Sequence, residues 1–282
     1  MPRWIRSLKE RFKQLQNGRF RFLVAIVGTI QQSVNYRSPV LLFADRDGDW
    51  HNCRSDAVFV APEINVYSYH AVEAITIDKW CHYYTLQRGD IVVDVGAGIG
   101  DDTLVFSRLV GKAGLVVAIE ANPTTFRCLK KTIALNHLDN VIAINVAASD
   151  REGSVNISEE TNFLSNNIVE GRGGIEVRAC MLDHVLGELG VQHPSLVKLN
   201  IEGAESIALS GMQELLVATP NIAVSCHDFK ANNGGSECFR TYDRVKSILQ
   251  TAGYVIRERC NDRDEELKHC IYGAKECLSK TK

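Results

Sequence analysis

The sequence predicts an α/β fold with a doubly wound, mostly parallel sheet, and three observations carry that prediction. Residues 91–95, IVVDV, form a β-branched run broken only by Asp94, which suits a strand buried on both faces. Gly96, Gly98 and Gly100 follow at every second position, and then Asp101, Asp102 and Thr103 stand ahead of the apolar Leu104, Val105 and Phe106. That order reads strand, glycine turn, helix start. Strand-length apolar runs then alternate with helical patterns as far as residue 226.

The chain opens differently. Residues 1–21 carry Arg3, Arg6, Lys9, Arg11, Lys13, Arg19 and Arg21 against Glu10 alone, with Trp4, Ile5, Leu8, Phe12 and Leu15 on one helical face. This is a basic amphipathic helix, which either packs on its own domain or lies on a membrane surface or a partner. Residues 22–30 are apolar but too few to span a bilayer, which needs about 20. No cleavage pattern follows them, so neither a spanning helix nor a secretion signal is expected. Residues 40–59 are β-rich, with a hairpin turn at Asp47-Gly48. Residues 63–84 gather Tyr67, Tyr69, Trp80, Tyr83 and Tyr84 in a helical pattern that reads as a cap. Two regions are therefore expected: a basic helix and cap over 1–85, and a cofactor-binding domain over 86–275.

Within that domain, strands are predicted at 115–119, 141–146, 155–157, 175–180, 196–201 and 222–226. Asn122-Pro123 caps the helix after the second strand, with proline at its first position. Further helices are predicted at 183–189, 206–217 and 238–252, and a polar loop at 160–174. Two strands at 254–259 and 268–274 form a terminal hairpin.

Composition sets limits. A net charge of −2 over 282 residues gives no global case for a nucleic-acid partner. Nine cysteines without a C-x-x-C pair argue against a disulfide framework or a structural zinc site and suit the reduced thiols of a cytoplasmic protein. The eight histidines show no metal-binding spacing, so no metal is expected.

The glycine turn brings backbone N–H groups close to a ligand, and a nucleoside-type cofactor fits there. Dinucleotide binding asks for G-x-G-x-x-G, but Asp101 stands where the third glycine belongs. Glu120, at the end of the second strand, is placed to accept ribose hydroxyls. D-V-G-A-G-I-G-D-D-T resembles the first motif of Rossmann-like S-adenosylmethionine-dependent methyltransferases. L-V-K-L-N-I-E-G-A-E at 196–205 narrows the resemblance to the FkbM-type methyltransferase family. A-I-E-A-N-P at 118–123, N-V-A-A-S-D at 145–150 and Met181-Leu182-Asp183 also resemble that family's motifs, in the same order.

The resemblance, over roughly residues 86–254, implies a Rossmann-like class I methyltransferase fold with seven strands, the last antiparallel, behind the N-terminal helical and β cap. It implies S-adenosyl-L-methionine as cofactor. Asp94, Gly96, Ala97, Gly98, Gly100, Asp102 and Thr103 would hold it at the first turn, with Glu120 and Ala121, Ala148 and Asn200 after the next three strands. The chain departs from the family at Asn200, where an acid is usual, and at Gly98, where an asparagine is usual. Asn200 can hydrogen-bond the methionine part of the cofactor but cannot act as a base.

The catalytic candidates are His227, Glu202 and Asp228, at the carboxyl ends of the fourth and fifth main strands. An ordinary histidine suits proton removal near neutral pH, and Asp228 would orient His227 or replace it. The resemblance implies O-methylation of a small-molecule hydroxyl, on a sugar, polyketide or other metabolite. Alternatives are an NAD(P)-dependent dehydrogenase and a non-catalytic, cofactor-binding or membrane-recruited scaffold, the latter suggested by the basic first helix and Asn200.

Overall fold

Five parallel strands form the centre of the domain: β4 (Ile91–Val95), β5 (Leu115–Ile119), β6 (Val141–Ile144), β10 (Leu196–Leu199) and β11 (Asn221–Ser225). β13 (Cys270–Ala274) adds antiparallel to β11, and β12 (Val255–Glu258) pairs antiparallel with β13, giving the spatial order β12-β13-β11-β10-β4-β5-β6. The predicted seven-stranded sheet with its last strand antiparallel is thus observed. The computed structural model describes residues 18, 20–157 and 174–275. Most of the predicted basic helix, most of the loop at 160–174 and the tail after 275 lie outside the described residues.

The chain runs outward from β4 to β5 and β6, then returns to β10 on the other side of β4. β4 and β10 therefore flank the point where strand order reverses, and the crevice beyond their carboxyl ends is where such sheets bind ligands. The strands are buried on both faces, as their aliphatic runs require; Val92, Val93, Val116, Val117, Val197 and Leu199 are fully enclosed. Helices α3 (Asp101–Val110) and α4 (Pro123–Leu135) cover one end of the sheet, with Asn122 capping α4 by accepting from the N–H groups of Thr124 and Thr125. A small separate sheet joins β7 (Ala147–Ala148), β8 (Gly153–Ile157) and β9 (Ile175–Cys180).

In the N-terminal region, α1 (Arg21–Tyr36) lies on the hairpin sheet β1 (Leu41–Ala44), β2 (Trp50–Cys53) and β3 (Val58–Ala61). The edge of β3 is closed by α4, where Val60 N–H donates to Thr132 Oγ1 (3.1 Å) and Val58 N–H to Asn136 Oδ1 (3.0 Å). α2 (Tyr69–Trp80) packs across α3 and ends over the crevice.

Two predicted helices are broken. After α5 (Leu182–Glu188), residues 206–217 split into α6 (Glu205–Ser210) and α7 (Gln213–Ala218). The Asp183 carboxylate explains the split: it accepts from the N–H groups of Glu214 and Leu215 (both 2.9 Å) and so begins a second helix. Residues 238–252 form a 3₁₀ turn, Glu237–Phe239, and then α9 (Tyr242–Thr251). α8 (Asp228–Asn232) precedes this stretch, and its Asp228 Oδ2 accepts from the N–H groups of Thr241 and Tyr242 (both 3.1 Å), which starts α9 afresh. A short α10 (Glu265–Lys268) sits in the terminal hairpin.

Candidate active site

Asp94 and Lys198 are direct neighbours across β4 and β10. Lys198 Nζ lies 2.7 Å from Asp94 Oδ1 and donates to the carbonyl of Gly96 (2.9 Å), while Thr103 Oγ1 donates to Asp94 Oδ2 (2.6 Å). Asp94 and Lys198 are 0% and 1% exposed, so this is a sealed ion pair under the glycine turn. Burial works to lower the Lys198 ammonium, but the carboxylates of Asp94 and Asp102 overcome it and hold the pKa above its ordinary value. Asp102 is in turn fixed from α2, by the Thr76 hydroxyl (2.6 Å) and the Trp80 indole N–H (2.8 Å). Asp94 and Thr103, expected at the cofactor, thus face each other and Lys198 beneath the turn. Both side chains are fully buried, so neither opens onto the crevice.

The glycines of the turn have different jobs. At Gly96, φ is +76° and a Cβ would stand 2.1 Å from the carbonyl oxygen of Asn200, so the close approach of β4 and β10 needs glycine there. At Gly98, φ is +57°, but a Cβ would meet only Asp101 Oδ1, at 3.9 Å. Gly96→Ala is accordingly expected to cost at least ~2 kcal/mol and to weaken cofactor binding, whereas Gly98→Ala should cost only about 1 kcal/mol, the usual penalty of the left-handed region. Denaturant titration of the two variants checks this. Gly100 is the residue that caps the start of α3, and Ala97 is buried against Ala118 and Leu129.

Glu120 braces the same turn. Its Oε2 accepts from Gly98 N–H (2.9 Å) and its Oε1 from Asn122 N–H (2.8 Å). Burial pushes its pKa up to about 7, against the opposing pull of the two backbone donors. Ala121 packs toward the small sheet, and Ala148 lies within it, paired with Cys180. Neither of those two residues lines the cavity between β4 and β10.

The crevice itself is a cavity of about 630 Å³, within the range of small-molecule sites. Thr76 and Trp80 of α2 form one wall, Asp101, Asp102 and Asn200 the base, and Glu202, His227 and Lys230 the opposite side. Burial, reinforced by Asp102, pushes the Asp101 pKa up to about 7. Asn200 Oδ1 is buried without a hydrogen-bond partner, and such an acceptor in a cavity wall suits a donor group on a ligand.

His227 follows β11 and is 1% exposed. Its Nδ1 lies 2.9 Å from Glu205 Oε1 and its Nε2 3.3 Å from Glu202 Oε1. Glu205 also accepts from Gly203 N–H (3.0 Å) and the Thr241 hydroxyl (2.8 Å). Glu202 pairs in addition with Lys230 and sits at φ +53°, an uncommon backbone state for a residue with a side chain. Burial alone would lower the His227 pKa, but the bonds to Glu202 and Glu205 raise it to about 9. The two glutamates therefore favour the doubly protonated ring, in which both nitrogens are donors. Asp228 Oδ2 accepts at the start of α9, from Thr241 and Tyr242.

Lys198 is absent from the residues the sequence picked out. The available signal was physical: a lone lysine inside a buried apolar strand requires an opposite charge, and Asp94 is the acid inside the neighbouring central strand.

A reversal point between two central strands, a glycine turn under an acid-braced loop, and a cavity closed by a cap define a Rossmann-like methyltransferase of class I. The chain belongs to the FkbM methyltransferase family: the model of the methyltransferase FkbM domain matches residues 94–256. The family's methyl donor is S-adenosylmethionine, and the match removes the dehydrogenase alternative. Among curated relatives, 2-O-methyltransferase NoeI of Sinorhizobium fredii is 28% identical over 170 residues, covering 53% of this chain and 68% of that protein. Hexuronic acid methyltransferase AglP of Haloferax volcanii is 27% identical over 143 residues, covering 50% of this chain and 57% of that protein. A crystal structure of methyltransferase FkbM from Methylobacillus flagellatus superposes with a TM-score of 0.50 at 17% identity, covering 73% of this chain and 49% of that one. The chain thus spans about half of the crystallised protein, and that likeness concerns the fold.

Proposed function

We propose that this methyltransferase transfers its methyl group to a hydroxyl of a small molecule, such as a sugar or another polyhydroxylated metabolite. The observation that carries the reading is the carboxylate of Glu202, held at the cavity wall by His227 and Lys230. The names of two relatives support it: one is a 2-O-methyltransferase, the other a hexuronic acid methyltransferase.

The residues present fit S-adenosylmethionine. Glu120 and the turn that it braces through Gly98 N–H would take the nucleoside, and the unpaired Asn200 Oδ1 would accept from the ammonium of the methionine part. When bound, the sulfonium supplies an electrophilic methyl group. Asp94, Thr103 and Lys198 keep the turn in shape for it. Glu202 would accept a hydrogen bond from the acceptor hydroxyl and take its proton. Burial works to raise the Glu202 pKa, but the bonds to His227 and Lys230 keep it below its ordinary value. A weak base suffices here, because the oxygen becomes strongly acidic as it gains the methyl carbon. His227 fixes the carboxylate in place and is a positioning residue, while Trp80 and Phe229 shield the cavity.

The test is incubation with methyl-labelled donor and a panel of sugars and hydroxylated metabolites, with the methylated atom located by NMR. Methyl on oxygen is expected. Transfer to nitrogen alone would sink the reading, and no transfer despite tight donor binding would favour the scaffold. Glu202→Gln should lower kcat by about 10²-fold or more with donor affinity within about twofold, in the range of a lost general base.

A further inference from the structure

We infer that the outward face of α1 docks the protein on an anionic membrane surface. This helix is amphipathic in the reverse of the usual sense. Its small and polar residues face the protein: Ala25 is buried, and the Thr29 and Ser33 hydroxyls lie against β1. Thr29 Oγ1 accepts from Leu42 N–H (2.9 Å) and Ser33 Oγ from Val40 N–H (3.0 Å), so the two hydroxyls cap the edge of the hairpin sheet. Leu23, Ile26, Val27, Ile30 and Val34, spaced as one helical stripe, face outward, with Val27 63% and Val34 69% exposed. Leu41 and Phe43 of β1 are exposed as well. An apolar face of this size on a helix that uses its polar side for packing marks a contact surface.

Charge decides what covers it. From residue 11 to residue 44 the sequence holds no aspartate or glutamate, but it holds Arg11, Lys13, Arg19, Arg21 and Arg37. Arg21 and Arg37 bracket the helix and are exposed. A second copy docked face to face would bring these like charges together, and so would the basic residues 1–17 of the same chain folded back on the stripe. A bilayer with anionic headgroups takes both parts, the apolar stripe at the acyl boundary and the arginines among the headgroups. The helix has 16 residues, about 24 Å at ~1.5 Å per residue, so it suits lying in the interface. Among the described residues no helix is long and apolar enough to cross a membrane. The docked element is also tied to the catalytic cavity: Arg54 stacks on Tyr36 (4.2 Å) and donates from Nε to the carbonyl of Tyr67, a cavity residue (3.0 Å).

The inference does not depend on the acceptor or on catalysis. It is tested by sedimenting the full chain with phosphatidylcholine vesicles, with and without phosphatidylglycerol. The full chain should sediment with the phosphatidylglycerol vesicles, less so as salt rises. Val27→Asp with Ile30→Asp should bind at least about tenfold more weakly, with unchanged melting and donor affinity. Val27→Ser with Ile30→Ser, which adds no charge, should also lose most binding and covers the case in which the aspartates disturb the helix. Absence of sedimentation, equal binding to vesicles without phosphatidylglycerol, or equal binding of the serine variant would overturn the inference. So would light scattering that shows a dimer abolished by the same substitutions, or vesicle binding that appears only after residues 1–17 are removed.

Discussion

Lys198→Met is expected to remove about 3–5 kcal/mol of folding stability, the usual cost of leaving one member of a buried ion pair alone. Asp94 is 0% exposed, and without the ammonium its carboxylate would keep only the Thr103 hydroxyl as a partner. The carbonyl of Gly96 would lose its donor, and Asp102 would lose the positive charge 3.7 Å from its Oδ2. These groups are the underside of the turn, so the variant that still folds should bind S-adenosylmethionine more weakly. Urea titration gives the first result and calorimetry the second. Asp94→Asn combined with Lys198→Met removes both charges and should recover more than half of the lost stability. A single-variant loss below about 1 kcal/mol would mean that the pair is relaxed or hydrated, contrary to its burial.

The parts legible in the sequence were those specified locally. The strand–turn–helix at 91–106, the Asp47-Gly48 hairpin and the Asn122-Pro123 cap each depend on neighbouring residues, and each is found where the pattern puts it. What escaped depends on residues far apart in the chain. Lys198 meets Asp94 across 104 positions, and only the order of the strands brings them together. Asp183 caps a helix 31 residues further on and so divides it, which periodicity at 206–217 alone does not show. The stripe in α1 was visible as an apolar run, but which face meets the protein was set by the edge of β1 and its need for hydroxyl partners. His227 was placed correctly at a strand end, yet its charge state follows from two glutamates 22 and 25 positions earlier, arranged by a left-handed residue at Glu202.

That arrangement makes stability depend on pH in a direction opposite to the one a buried, unpaired histidine would give. The His227 pKa is raised from 6.5 in the unfolded chain to about 9 in the folded protein, so the folded state holds the proton more tightly. The contribution to stability is fully present below pH 6.5 and is lost as the pH rises through about 9, and a rise of that size corresponds to about 3 kcal/mol. Glu202 works on the other side: its lowered pKa adds stability above the ordinary carboxylate range, which is lost on acidification. Melting temperature should therefore fall between neutral pH and pH 9, and the fall should vanish in His227→Gln, which should be less stable than the parent at neutral pH and nearly equal to it well above pH 9. Because the same imidazolium holds the Glu202 carboxylate at the cavity wall, kcat of the parent should decline over the same alkaline interval with donor affinity unchanged. A rate that instead climbs toward pH 9 would identify neutral His227 as the proton acceptor and return Glu202 to a supporting part.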